Sequence, residues 1–497
     1  MTTPLTSSDA SFPYTSFPWA RAGLVLALAI LVVRITGLFL TPINLGGDEA
    51  QYWLWAQDLD FGYASKPPLI AWSIWLSTTL AGSDAEAWVR LPSSLYHTGT
   101  ALTLMMIGRK LYGPQAGFWA LVIFLLMPGV QLSSGLISTD APLLFFWSLA
   151  LWAYLHMREG GSWSYGLALG GALGLAMLAK YAAVYFVLGV ALDLARNQHA
   201  RRNVLSAAGA VAVLAFVLVI SPNIWWNLQN GLATISHTAD NANWGTGQMF
   251  RLPQALEFFG AQFVVFGPLV FGALLAILWR SKDETTQVLK GFVWPIILIV
   301  VIQAFLSRAH ANWAGVAYAA ASVLVAGVMV RHHKKWLLWG TVALQVSLGA
   351  VFYTAGLSPA FADATGIGKS FKRVRAWPET TQAIDQIVKV YGPFDVLAVD
   401  NRLMFNTLAY YGRDLDLPPL RMWLYDGAHN HAERTAPLEE NPDLRVLLIS
   451  TRDDYRLRQA ADFETFTPLE TVSIPLAPGK VRTFTAFAAT GHHRQDR

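Results

Sequence analysis

Cysteine is missing from all 497 residues, which excludes a disulfide frame, a thiol nucleophile and a Cys-ligated metal. Charge is scarce as well. Asp, Glu, Lys and Arg make up only 14% of the chain, where a soluble domain carries about 25%. No Asn-x-Ser/Thr acceptor site occurs, which leans toward a bacterial envelope protein, and there is no internal repeat. What fills the chain instead is apolar: 54% of residues are hydrophobic and 20 are Trp, with mean hydropathy +0.38. Tryptophan in such number suits the interfacial belts of a membrane protein. The net charge of +4 does not point to nucleic acid, because the basic residues lie in short clusters between apolar runs.

The run from Ala22 to Leu40 is long enough to cross about 30 Å of hydrocarbon. No Ala-x-Ala site follows it, so it reads as a retained first helix and not a signal peptide. Further spans are predicted near 88–107, 115–132, 141–157, 164–178, 182–195, 204–222, 253–279, 289–306, 314–330 and 336–356, about eleven in all. Alternate loops carry Arg109-Lys110, Arg158, Arg196 with Arg201-Arg202, Arg280 with Lys282 and Lys290, and Arg331 with Lys334-Lys335. The positive-inside rule then predicts a cytoplasmic tail over 1–20 and a transmembrane unit over 21–357, with loops 41–87 and 223–251 outside. From about 360 onward the composition is that of a soluble domain. A helix is predicted from Pro378 to Tyr391, strands at Phe394–Val399, Arg445–Ile449 and Val481–Ala488, and a helix start at Thr451-Arg452-Asp453-Asp454. The expected fold class is therefore an α-helical polytopic membrane protein with a small C-terminal α/β domain, 358–497, on the outer side.

The chemistry gathers in the outer loops. Gly46-Gly47-Asp48-Glu49-Ala50-Gln51-Tyr52 ends the first span with two adjacent carboxylates, an expensive placement that marks a functional site by default. One carboxylate suits a general base; the other fits a helix N-terminus, and both roles can coexist. Lys66-Pro67-Pro68 is either a plain turn or a rigid mount for a cation that holds a phosphate. Tyr52 and Tyr63 are expected to line the same cleft. Asp140, in Ser138-Thr139-Asp140-Ala141-Pro142, reads as a helix start and as a second acidic wall on the side of Asp48. Lys180, followed by Tyr181, either snorkels or supplies another phosphate contact. Arg308 is a cation for an anionic group, and Trp313 or Tyr318 either stacks on a sugar ring or, for the Trp, belongs to an interfacial belt. Gly166, Gly170 and Gly174 predict a close helix–helix face. His237 and His310 lack metal-site spacing, so no metal or cofactor is expected, although a divalent ion stays open.

In this order along one topology, Gly-Asp-Glu-Ala-x-Tyr at 47–52, Lys66-Pro-Pro-Leu, Ser138-Thr-Asp-x-Pro-Leu, Ala179-Lys-Tyr and Asn312-Trp resemble the polyprenyl-phosphate-dependent GT-C glycosyltransferases. The likeness is nearest the bacterial branch with the aminoarabinose and galacturonic acid transferases of lipid A, related to protein O-mannosyltransferases. It covers about residues 20–356. The resemblance implies inverting transfer of a sugar from a polyprenyl-phosphate donor to lipid A, lipopolysaccharide or another glycan, at the periplasmic face of the inner membrane. It implies Asp48, with Glu49 and Asp140, as catalytic carboxylates, and Lys66 and Lys180, with Arg308, as donor-phosphate contacts. Tyr52, Tyr63, Tyr181, Asn312 and Trp313 would line the pocket. The alternatives are a flippase or transporter of lipid-linked sugars and a protein O-glycosyltransferase.

Overall fold

A computed structural model describes residues 18–242, 250–280 and 283–495. Most of the expected tail 1–20, part of the outer loop 223–251 and the loop cation Lys282 lie outside the described residues. The chain opens with α1 (Trp19–Leu40), α2 (Gly47–Gln57), α3 (Leu69–Ala81), α4 (Glu86–Tyr112), α5 (Pro114–Leu126) and α6 (Pro128–Ser133). It continues through α7 (Asp140–Gly160), α8 (Trp163–Ala179), α9 (Phe186–Arg196), α10 (Gln198–Val204), α11 (Ala207–Gln229) and α12 (Ala233–Ala242). The helical part closes with α13 (Leu252–Val265), α14 (Pro268–Arg280), α15 (Glu284–Gly291), α16 (Trp294–Leu306), α17 (Ala317–Arg331) and α18 (Lys335–Leu357). Among the described residues, four helices or continuous helical runs are long and apolar enough to cross a membrane alone. They are α1, α11, the run Glu284–Leu306, and α18.

Two expected spans are broken, each at a proline. The span 115–132 splits into α5 and α6 at Met127-Pro128, and the buried Arg34 donates to the carbonyl of Leu125 at 2.8 Å, filling a group the break orphans. The span 253–279 is a pair, α13 and α14, bent by 114°. Gly267 turns the chain at φ +98°, and Pro268 begins α14, where its missing N–H costs nothing. The predicted glycine face is observed. A Cβ on Gly166 would lie 2.2 Å from the carbonyl of Ala208, and one on Gly170 2.0 Å from that of Ala212, so only glycine lets α8 and α11 approach this closely.

The expected cationic loops meet at one end of the bundle. There Arg158 grips Asp193 at 2.8 Å, Lys110 meets Glu159 at 2.5 Å and Arg331 meets Asp283 at 3.3 Å. Asp48, Lys66, Asp140 and Lys180 occupy the other end.

Beyond α18 come α19 (Pro359–Ala364), α20 (Trp377–Tyr391), β1 (Val396–Val399), α21 (Arg402–Tyr411), β2 (Leu420–Met422) and α22 (His431–Thr435). Then follow β3 (Val446–Ser450), α23 (Arg456–Ala461), β4 (Phe463–Ala477) and β5 (Lys480–His492). The sheet order is β2-β1-β3-β5-β4, with β2, β1 and β3 parallel and β5 antiparallel to both its neighbours. Every residue of β1 and β3 is buried, which explains their unbroken apolar sequences. The sequence gives no sign of β4, because this edge strand is largely exposed and carries Pro468 and Pro475, tolerated only at an edge.

Candidate active site

Glu49 is the anchor of the first outer loop. Its carboxylate takes paired hydrogen bonds from Arg90 Nε and Nη2, both at 2.8 Å, with the guanidinium 1% exposed. The same two oxygens accept the backbone N–H of Gly46 at 2.8 Å and of Ile137 at 2.9 Å. The Gly46 bond is half of a capping box, so Glu49 starts α2 while it neutralises a buried cation. Arg90 then spreads to the carbonyls of Ile43 and Asn44, both at 2.8 Å, which pins the segment that leaves α1. Four donors leave this carboxylate no room for a reacting proton.

One residue earlier, Asp48 faces outward. Its side chain is 64% exposed and meets the guanidinium of Arg402 at 3.2 Å. The contrast follows from helix geometry: neighbours in a helix point about 100° apart, so one carboxylate turns into the bundle and the other to the cleft.

Asp140 opens α7 and is held by Lys180 Nζ at 2.7 Å and Asn312 Nδ2 at 2.6 Å, one partner from the end of α8 and one from the segment before α17. Lys66 lies in the loop before α3, shaped by its own carbonyl accepting from Tyr63 N–H at 3.1 Å. Among the described residues no hydrogen bond or ion pair engages its amine. Burial pushes its proton affinity below that of an ordinary lysine, the positive charge of Lys180 adds to this, and Asp48 and Asp140 oppose it. Asp48, Lys66, Asp140, Lys180 and Arg402 therefore share one electrostatic neighbourhood. Tyr52 borders it: burial first, then Asp48 and Asp140, raise its phenol well above the usual range.

The remaining expected residues divide. Tyr181 donates to Asn223 Oδ1 at 2.8 Å and accepts from Asn227, fixing the base of α11. Tyr63 is stacked on Trp55 at 4.6 Å and donates to the carbonyl of Trp55, so it braces the loop. Trp313 is half-buried and meets His310 edge-on. Arg308 is exposed, and among the described residues no contact ties its guanidinium to this group. The imidazole of His237, on α12, loses basicity through burial and then through Lys66 and Arg402, which puts α12 at the rim.

The sequence reading overlooked Arg402. It comes from the C-terminal α/β domain, which seats on the loop after α1. Asn44 N–H donates to Val374 O at 2.9 Å, Leu45 N–H to Tyr411 Oη at 2.6 Å, and Tyr410 Oη to Asp84 O at 2.6 Å. Gly47 lies so close to Leu403 that a Cβ there would fall 2.4 Å from it. The available signal was positional: Asp400-Asn401-Arg402 directly follows the parallel strand β1, and the carboxyl ends of such strands are where ligands bind.

The chain is similar in sequence and fold to known proteins. The family described as dolichyl-phosphate-mannose-protein mannosyltransferase matches residues 65–226. The chain is 37% identical over 403 residues to lipid A galacturonosyltransferase RgtD of Rhizobium johnstonii, covering 79% of this chain and 83% of that protein. It is 26% identical over 220 residues to lipopolysaccharide core galacturonosyltransferase RgtA of the same organism, 43% of each. The fold matches that of ArnT from Cupriavidus metallidurans, solved bound to undecaprenyl phosphate, with TM-score 0.64 at 15% identity over 95% of this chain and 98% of that one. The transporter alternative is thereby set aside, and this multi-pass membrane protein is an enzyme that belongs to the polyprenyl-phosphate-dependent GT-C glycosyltransferases, in the branch that contains the lipid A sugar transferases.

Proposed function

We propose that this enzyme moves galacturonic acid from a polyprenyl-phosphate carrier to lipid A, with inversion, at the periplasmic face of the inner membrane. The names of the two curated relatives support the sugar, and that of the nearer one supports the acceptor. The carrier bound in the ArnT structure supports the donor class. The grouping of loop cations at the end opposite Asp48 supports the orientation of the eleven-passage reading, with a cytoplasmic tail over 1–20, a transmembrane unit over 21–357 and an outer domain over 358–497.

One observation carries the mechanism: an exposed carboxylate, Asp48, shares its neighbourhood with an amine, Lys66, that has no partner among the described residues. Asp48 takes the proton of the acceptor hydroxyl. The acceptor oxygen bonds to the anomeric carbon on the face opposite the phosphate, the bond from that carbon to the phosphate oxygen breaks, and polyprenyl phosphate leaves with the electron pair. The transition state is oxocarbenium-like. As the leaving phosphate gains charge, Lys66 binds it more strongly than in the ground state. Lys180 holds Asp140 and completes the positive wall. Glu49 is a positioning residue that fixes the backbone beneath Asp48. A missing base typically costs about 10²- to 10⁴-fold. Asp48→Asn, with unchanged thermal unfolding and retained donor binding, is expected to lose transfer on that scale in an assay with purified lipid A. Turnover equal to wild type removes Asp48 from the chemistry.

A further inference from the structure

We infer that Arg402 recognises the carboxylate of a uronic acid donor and releases Asp48 as it does so. This rests on the proposed uronic acid donor and extends it to one side chain. A polyprenyl-phosphate uronate carries two negative charges, one on the phosphodiester and one on the sugar. Lys66 is free to meet the first. Lys180 is committed to Asp140 at 2.7 Å, and Arg90 is sealed against Glu49. Arg402 has capacity to spare: its side chain is 48% exposed and touches Asp48 through one nitrogen at 3.2 Å. A guanidinium has five donors in a planar fork that matches a carboxylate in two parallel bonds.

Its mounting suits the task. Asn401 caps α21 by accepting from Met404 N–H at 2.9 Å, so Arg402 begins a capped helix. The Cα of Gly47 lies against Leu403, which holds that helix end over the first turn of α2. In the free enzyme the single bond keeps the guanidinium and Asp48 together. A sugar carboxylate arriving beside them offers a better, two-point partner; the guanidinium turns to it, and Asp48 becomes an unpaired base at the moment the donor is in place. A neutral hexose brings no such anion and leaves Asp48 tied. The inference thus predicts selection for uronate donors through both binding and turnover.

The test uses the full-length enzyme in lipid nanodiscs with lipid A as acceptor and two donors, polyprenyl-phosphate galacturonic acid and its carboxyl-reduced counterpart, polyprenyl-phosphate galactose. Sites that bond a polar substrate group discriminate strongly against analogues lacking it. Wild type is expected to favour the uronate by about 100-fold or more in kcat/KM. In Arg402→Gln that ratio falls by at least about tenfold, through a higher KM for the uronate and a higher kcat for the galactose donor, whose base is no longer tied, and Arg402→Lys recovers part of it. Unfolding midpoints confirm that all three proteins are folded. A ratio in Arg402→Gln equal to that of wild type overturns the inference, even if both donors slow together, because that is the signature of a purely structural residue. Wild type that uses both donors equally also overturns it while leaving the transferase reading intact. Wild type that transfers from neither donor overturns that reading and the inference with it.

Discussion

The two ends of the helical bundle hold their charges in different conditions. At the end that collects the cationic loops, the carboxylates are paired: Asp193 is gripped by Arg158 at 2.8 Å and by Tyr154 at 2.7 Å, and Arg331 pairs with Asp283 while lying 5.3 Å over the ring of Tyr112. At the opposite end Lys66 is unpaired among the described residues, and Asp48 has a single long contact. Matched charges hold helices together; unmatched ones hold a substrate. The same division recurs within the dipeptide Asp48-Glu49, where one carboxylate has four donors and its neighbour one.

The largest effect should follow from undoing the saturated member of that dipeptide. Glu49→Gln strips a buried guanidinium of its counter-charge, a change that typically costs about 3–5 kcal/mol. The thermal midpoint should fall steeply, and activity should be lost together with the fold. Folded protein with normal stability would show that Arg90 finds another partner.

Lys66→Met keeps the stem and removes the charge. Removing a preorganised electrostatic contact costs on the order of 10²-fold, so kcat/KM should drop to that extent with stability unchanged, because no partner is left stranded. The pH dependence sharpens the case. Burial lowers the proton affinity of Lys66, so its charge is complete at low pH and disappears as pH rises, earlier than for an exposed lysine. Donor KM should therefore climb on the alkaline side, and Lys66→Arg should flatten the climb. A KM independent of pH in wild type would break the assignment.

The smallest effect should come from the opposite end. Asp193→Asn removes one charge from a group in which Arg158 still has Glu284 at 3.5 Å. A loss of about 1–3 kcal/mol in stability is expected, with kcat/KM retained in the protein that remains folded. A selective loss of transfer there would erase the distinction between the two ends.

Much of this was legible from short-range pattern. The Asp-Glu pair, Lys66, Asp140 and Lys180 stand out because ionisable groups beside apolar runs are costly, and the loop cations placed them on one side. Asn312 was legible too, and the fold brings it onto Asp140. Arg308 and Tyr63 were read into the site on the same loop logic, yet Tyr63 braces the loop and Arg308 stays apart among the described residues. Hydrophobic runs located the helices but not their breaks, since a run reads alike whether or not Gly267-Pro268 turns it by 114°. Arg402 was out of reach because it approaches Asp48 from 354 residues away in sequence.

Composition and periodicity alone decided that this chain crosses a membrane, that its charges cluster at the loops and that a small α/β unit follows, because burying apolar surface and satisfying backbone groups in lipid leave few other arrangements. Which of two adjacent carboxylates would be sealed and which left open, and which distant cation would meet the open one, only the tertiary structure decided. Those outcomes depend on the angle between side chains on one helix turn and on how a separate domain docks against it, and neither is written in any local stretch of residues.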